Sequence, residues 1–185
     1  MRNYLFSAAM LLASATCFSQ PAKDSLLAKD YKQVEARLIL MHYLDRTAIN
    51  YFAQHPEATK NGKDADFILY YNNEVVNKNP ALQVPVSDYL GYTASQPENS
   101  VEFIDRVAQK NIASLVSITE KYGYPSPQRI KINFEDKKNL LAVIFVSRIN
   151  KIDKKLKKLM KTELKLGNIS SNEYENFRFY TNNRN

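Results

Sequence analysis

His42, Asp45 and Arg46 fall within one turn of a helical pattern, and Arg148 follows the most aliphatic run of the chain, 142–146. An imidazole with a carboxylate at i+3 and a guanidinium at i+4 can share a helix face. On such a face His42 can serve as a general base flanked by Asp45 and Arg46. With Arg148 these residues make one candidate catalytic set. The same spacing also suits an ordinary helical ion pair beside a half-buried imidazole, which asks nothing of chemistry. GxSxG, SxxK and a glycine-rich phosphate loop are absent from the sequence, so no familiar nucleophile or phosphate cradle supports a reaction.

Metal chemistry is poorly served. The chain has two histidines, His42 and His55, and one cysteine, Cys17. Thirteen helical residues separate the histidines by about 20 Å, too far to share an ion. HExxH and Asp-rich calcium loops are missing; no metal and no cofactor is expected.

Two features suit binding. Twelve tyrosines include several beside glycine or asparagine, notably Tyr89, Tyr92, Tyr122 and Tyr124. Exposed phenols make recognition surfaces, and the alternative is an aromatic core whose hydroxyls reach water. The segment 151–165 carries seven lysines against Asp153 and Glu163, with Ile152, Leu156, Leu159, Met160 and Leu164 as an apolar stripe. Lys154, Lys157, Lys158 and Lys161 can therefore meet an anionic envelope surface. The plainer reading packs the leucines on a core and solvates the lysines.

The elements that must position these residues are helices. The first is expected over Lys23–Gln54, with Leu27, Tyr31, Val34, Leu38, Met41, Leu44 and Ala48 on one stripe, stopped by His55-Pro56. A second fits Asp64–Asn77. The stretch Asn79–Pro97 reads as loop with one helical turn around Ser87–Leu90. A third helix opens on the capping-box pattern Ser95-Gln96-Pro97-Glu98, runs through Val101, Ile104, Ala108, Ile112, Leu115 and Ile118, and ends at Gly123. Residues 129–134 alternate polar and apolar and can form a short extended segment. The fourth helix is expected to be long, Glu135–Leu166, buried at 140–146 and capped by Gly167. Ser170-Ser171-Asn172-Glu173 is a second capping box, opening a short last helix. The expected fold is an all-α, single-domain bundle of four to five helices over 20–180, with a frayed polar tail at 181–185.

The first nineteen residues give an address. One basic residue, an apolar run from Leu5 to Ala15 and a small-residue exit resemble a bacterial export signal, cut after Ser19. The run is shorter than the roughly 20 residues that span a bilayer, so no transmembrane span is expected. Lipidation at Cys17 is the alternative, though Ser14-Ala15-Thr16 makes a poor lipobox. The net charge of +7 permits polyanion contact without requiring it. An exported protein does not ordinarily meet nucleic acid, and none is expected as a partner.

Asn111, Gly123-Tyr124-Pro125, the aliphatic run Ala142–Val146 and Gly167-Asn168-Ile169 follow one another in an order and spacing that resemble a family of bacterial exported proteins of unknown function. That family's pattern opens with Asp-Gln-x-x-Arg, for which Asp45-Arg46 can stand. It continues through Asn, Gly-aromatic-Pro and an aliphatic helix ending Gln-His-Ala-Asp, and closes on Asp-Arg and Tyr-Gly-Thr-Gln. The resemblance covers about Leu40–Tyr180. Ser147-Arg148 stands where the family has Gln-His, the Asp-Arg segment is degenerate near 180–184, and Tyr-Gly-Thr-Gln is absent. A polar site kept only in part is costly, so the resemblance implies a divergent member that retains the fold for binding. The expected function is a non-catalytic interaction module of the periplasm or cell surface, contacting an unidentified protein or envelope component. The rival is an enzyme built on His42, Asp45, Arg46 and Arg148; a further alternative is an anionic-surface binder using 151–165.

Overall fold

The longest apolar stripe in the sequence becomes the axis on which the other elements pack. In the computed structural model, which describes residues 2–55, 64–76, 89–90, 99–132, 141–149, 152 and 154–182, helix α1 runs Arg2–Gln54. It begins well before the expected Lys23. Pro21 lies inside it; proline removes one amide from the ladder, yet the helix continues across Ser19 and Gln20. Downstream, Leu27, Val34, Leu38, Met41, Leu44 and Ala48 are all buried.

Helix α2 (Asp64–Tyr71) passes directly into a π-helix, Asn72–Val76, in place of one α-helix to Asn77. Phe67, Tyr71 and Val75 are buried. Rings fasten α2 to α1: Phe67 meets Tyr51 at 5.6 Å, and Tyr70 meets Tyr51 at 5.1 Å. Tyr89 and Leu90 are helical and buried; the rest of the expected loop 79–97 lies outside the described residues.

Helix α3 (Ser100–Tyr122) starts later than Ser95. Asn99 is its N-cap, accepting hydrogen bonds from Val101 N–H and Glu102 N–H at 3.0 Å, while Asn99 N–H donates to Glu102 Oε2 at 3.2 Å. Asparagine caps as well as serine, so the true box was the neighbouring Asn-x-x-Glu. The later start also corrects the buried face. Val101 is 70% exposed, whereas Phe103, Val107 and Asn111 turn inward. The Phe103 ring packs on Phe67 at 4.9 Å, which ties α3 to α2.

Where one helix is expected over Glu135–Leu166, the described residues form two, α4 (Leu141–Val146) and α5 (Lys154–Lys165); 135–140, 150, 151 and 153 lie outside them. Ser147 Oγ donates to Ile144 O at 2.6 Å, and Arg148 N–H donates to Phe145 O at 3.1 Å, which turns the chain. A hydroxyl that competes for a helix carbonyl, after a β-branched run, favours such a stop. The turn buries Ile149 and sends Arg148 toward α1. Leu141, Ala142, Phe145 and Val146 are fully or nearly fully buried, as their unbroken apolarity implied.

Helix α6 (Ser171–Asn182) opens on the expected capping box: Glu173 N–H donates to Ser170 Oγ at 3.2 Å, and Ser170 N–H to Glu173 Oε2 at 2.7 Å. The tail is not frayed at its start. Thr181 is 2% exposed and its carbonyl accepts from Lys157 Nζ at 3.2 Å; 183–185 lie outside the described residues. Residues 129–132 form a turn and coil, no strand occurs among the described residues, and 133–134 lie outside them. The chain is an all-α single-domain bundle: α1 packs along α3, α4 and α5 pack on α3, and α6 packs on α4 and α5.

This packing sets an expected contrast. Leu141→Ala should cost ~2–5 kcal/mol through the cavity it leaves, and Lys158→Ala, on the exposed face of α5, should stay within about 0.5 kcal/mol of the parent. Urea melts of the two variants decide the point, and equal losses would mean that α4 is not the buried element.

Candidate functional site

Asp45 shows first how the structure divides the candidate catalytic set. Its side chain is 1% exposed, and Oδ2 lies 3.7 Å from Arg148 Nη2, an ion pair beyond hydrogen-bond reach. Neither Asp45 oxygen accepts a hydrogen bond. Burial pushes the carboxyl up to about 6, against the pull of the Arg148 and Arg46 charges. Arg148 is partly exposed.

His42 and Arg46 open elsewhere. With Tyr43, Thr47, Asn50, Tyr70, Glu74 and Val75 they line a cleft of about 260 Å³ between α1 and the α2–π-helix segment. Neither Asp45 nor Arg148 belongs to that lining. The His42 imidazole is buried, edge-on to the Tyr43 ring at 5.7 Å. The π-helix matters here. One wider turn after Tyr71 rotates the residues that follow, and Glu74 and Val75 then complete the cleft wall. Glu74, Thr47, Asn50 and Tyr43 were not singled out by the sequence as site residues; Tyr70 belongs to the tyrosines beside asparagine that suit recognition. The signal available was their place one or two turns from His42 along α1, and the Tyr-Tyr-Asn-Asn run.

A second polar assembly joins α5 to the corner after α3. Glu163 is fully buried. Its Oε2 accepts from Tyr124 N–H at 2.7 Å and from Asn168 Nδ2 at 2.6 Å, while Lys23 Nζ stands 3.9 Å from Oε1. Helix α5 ends in a Schellman motif, with Asn168 N–H donating to Glu163 O and Gly167 N–H to Leu164 O. Gly123 has a φ of +76°, and a Cβ there would meet Arg129 Nη1 at 2.5 Å and Asn168 Nδ2 at 3.0 Å. Only glycine permits both the backbone turn and that approach. Arg129 in turn donates to Tyr122 O, Tyr124 O and Asp24 Oδ1 at 2.7, 2.9 and 2.5 Å. Beside it runs a groove of about 540 Å³, lined by Gln20, Asp24, Leu27, Tyr31 and Asn168 among others. The sequence did hold a clue to Glu163. It lies at i+3 and i+7 from Met160 and Leu156, on the apolar stripe of a lysine helix.

The tyrosines expected to be exposed are structural. Tyr89 is buried and donates to Asn111 Oδ1 at 2.7 Å; Asn111 Nδ2 donates to Met41 O at 3.0 Å, so this pair stitches α3 to α1. Tyr124 is 1% exposed, with its hydroxyl accepting from Ala142 N–H at 3.2 Å; burial pushes its phenol up. Tyr122 is buried and donates to Asp30 Oδ2 at 2.7 Å, a bond that holds the Asp30 carboxyl below its ordinary value. Tyr92 lies outside the described residues. Internal partners for the hydroxyls are what let these rings enter the core.

On α5, Leu156 and Met160 face the core. Lys154, Lys158 and Lys161 are exposed, but Lys157 is half-buried against Thr181. Lys155 pairs with Glu120 at 2.9 Å. The apolar stripe is thus spent inside the bundle. Among the described residues no cluster of three or more His, Cys, Asp or Glu side chains comes together to hold a metal, and no helix is long and apolar enough to cross a membrane. No protein-family model, curated protein or solved structure matches the chain.

Two measurements follow from these geometries. The folded state holds the Asp45 proton more tightly than the unfolded chain, whose value is near 3.8. Its contribution to stability is therefore full below that pH and is lost as pH rises through about 6. Relative to Asp45→Asn, the parent should lose about 3 kcal/mol between pH 3.5 and pH 7. Parallel curves for the two proteins would mean that Asp45 is not desolvated. Glu163→Ala strands the Tyr124 and Asn168 donors and should cost ~3–5 kcal/mol, with Glu163→Gln intermediate. Unchanged stability in the alanine variant would remove Glu163 from any structural role.

Proposed function

We propose that this chain is an exported, non-catalytic binding module of the periplasm or cell surface, a divergent member of the exported family it resembles. Its ligand seat is the cleft walled by His42, Arg46, Tyr70 and Glu74. The observation that carries this reading is the division of the candidate set. Asp45 faces Arg148 and gives His42 no hydrogen bond, so the imidazole meets the cleft without Asp45 as its orienter. In a nucleophile–histidine–carboxylate triad the carboxylate orients the imidazole, and Asp45 does not play that part. What the cleft does present is an imidazole, a guanidinium, a carboxylate, an amide, a hydroxyl and two phenols within about 260 Å³. A small polar ligand is recognised by few, well-placed groups of that kind.

The residues that carry the family resemblance support a retained scaffold. Asn111, Tyr124 and Asn168 are buried and hydrogen-bonded at joints between elements. The rival anionic-surface role is less favoured, because Leu156 and Met160 of that apolar stripe are buried and Ile152, Leu159 and Leu164 pack partly against the core.

Amino acids, sugars and nucleosides titrated against the chain from residue 20 onward, with melting temperature as readout, test the seat. A saturable rise is expected for at least one class, lost in Arg46→Ala and Tyr70→Ala, with the ligand recovered unaltered by mass spectrometry. A ligand recovered chemically changed, at a rate cut by ~10²–10⁴ in His42→Gln, would establish the enzyme instead. Export has its own check: the intact mass of the exported protein should begin at Gln20. Retained Met1 would contradict it, and a diacylglyceryl adduct on Cys17 would make the protein lipid-anchored.

A further inference from the structure

The Gln20 side chain is held by a geometry that reads every polar face of a primary carboxamide. Its Nε2 donates to Asn168 Oδ1 at 3.0 Å and to Asp24 Oδ1 at 3.0 Å, and its Oε1 accepts from Asn168 Nδ2 at 3.2 Å. A primary amide has two N–H donors and one oxygen, and all three functions are engaged. The partner cannot turn over. Asn168 Nδ2 also donates to Glu163 Oε2 at 2.6 Å, and a carboxylate only accepts. Glu163 is fully buried and Asn168 is 6% exposed, so the amide's orientation is set from inside the core. Asp24 is held in place as well, by Arg129 Nη2 at 2.5 Å. Nothing lies within 4 Å of where a Cβ on Gly167 would stand, so the turn beside Asn168 is open. From there the groove runs along Leu27, Tyr31 and Leu166.

We propose that Asn168 and Asp24, backed by Glu163, form a primary-carboxamide seat that Gln20 fills in cis. In trans it takes a ligand bearing a primary carboxamide, such as the glutamine side chain of a peptide, with the apolar remainder lying in the groove. A carboxylate of the same shape is excluded. It would set an anionic oxygen against Asn168 Oδ1 and the Asp24 carboxylate, two acceptors with no proton between them. A site built on hydrogen bonds of this kind rejects the analogue that cannot make them far more strongly than an apolar pocket rejects a missing methylene.

The test uses the chain from residue 20 onward, the form that the export cut leaves, with Gln20→Ala, which empties the seat, and two probes, N-acetylglutamine methylamide and N-acetylglutamate methylamide, followed by calorimetry or NMR titration at pH 7. The glutamine probe should bind Gln20→Ala at least about tenfold tighter than it binds the parent, and at least about tenfold tighter than the glutamate probe binds, the order of one lost charge-assisted or buried hydrogen bond. Adding Asp24→Ala should weaken the glutamine probe several-fold. Gln20→Glu, whose own side chain the seat repels, is a second emptied form should the alanine variant disturb the helix. Equal binding of the two probes, or no saturable binding of the glutamine probe to either emptied form, overturns the proposal.

Discussion

A carboxylate removed from water is costly unless hydrogen-bond donors or a counter-charge offset its lost hydration. Glu163 meets that demand at Oε2, with the Tyr124 amide and the Asn168 side chain, while Oε1 makes no hydrogen bond and has the Lys23 ammonium 3.9 Å away; in this way it gathers three separate parts of the chain. The Gly123–Pro125 corner leaves α3 under its control, α5 terminates beside it, and α1 passes over it. The requirement propagates outward. Asn168 must present its amino group inward, which leaves one amide edge for Gln20. Gly123 must lack a Cβ so that Arg129 and Asn168 can approach, and Arg129 then caps two carbonyls of the same corner.

Helix α1 serves two polar regions at once. Gln20 and Asp24 border the groove, and His42 and Arg46 border the cleft, 22 residues or about 33 Å further along the axis. What keeps the two apart is the apolar stripe between them and the Asn111–Met41 bond that locks α3 against α1. The cleft depends on a different set of forces. Edge-packed rings of Tyr51, Phe67, Tyr70 and Phe103 hold α2 in place, and the π-turn that follows brings Glu74 and Val75 round to face His42.

Local chemistry made several features legible in advance. The glycines at the ends of α3 and α5 both have positive φ, as a helix stop requires. The Ser170–Glu173 box needs only four consecutive residues, and it formed as read. The unbroken apolarity of 141–146 demanded burial, because no polar face was left to meet water. The sequence is ambiguous where two local signals compete. Ser95 and Asn99 are both competent caps, and only the packing of Phe103 and Val107 selects the second. Helix propensity alone runs on past Val146, while a serine back-bond and the burial of Ile149 end α4 there.

The candidate site was legible in part, for the same reason. Periodicity placed His42, Asp45 and Arg46 on adjacent faces of one helix, but a helix cannot tell which neighbour will cover each face. Arg148 arrives from a turn more than 100 positions away and covers Asp45; Glu74 arrives through a π-turn and shares the cleft with His42 and Arg46. Tyr89, Tyr122 and Tyr124 looked exposed because a phenol beside glycine has no local partner, and each found its partner across the fold. The sequence by itself determined the all-helical class, the punctuation of the helices and the apolar stripes, all of which depend on residues within a turn or two of one another. The tertiary structure alone decided which polar side chains are spent on the core and which line a cavity, because burial, hydrogen-bond satisfaction and charge pairing depend on chain segments distant in sequence.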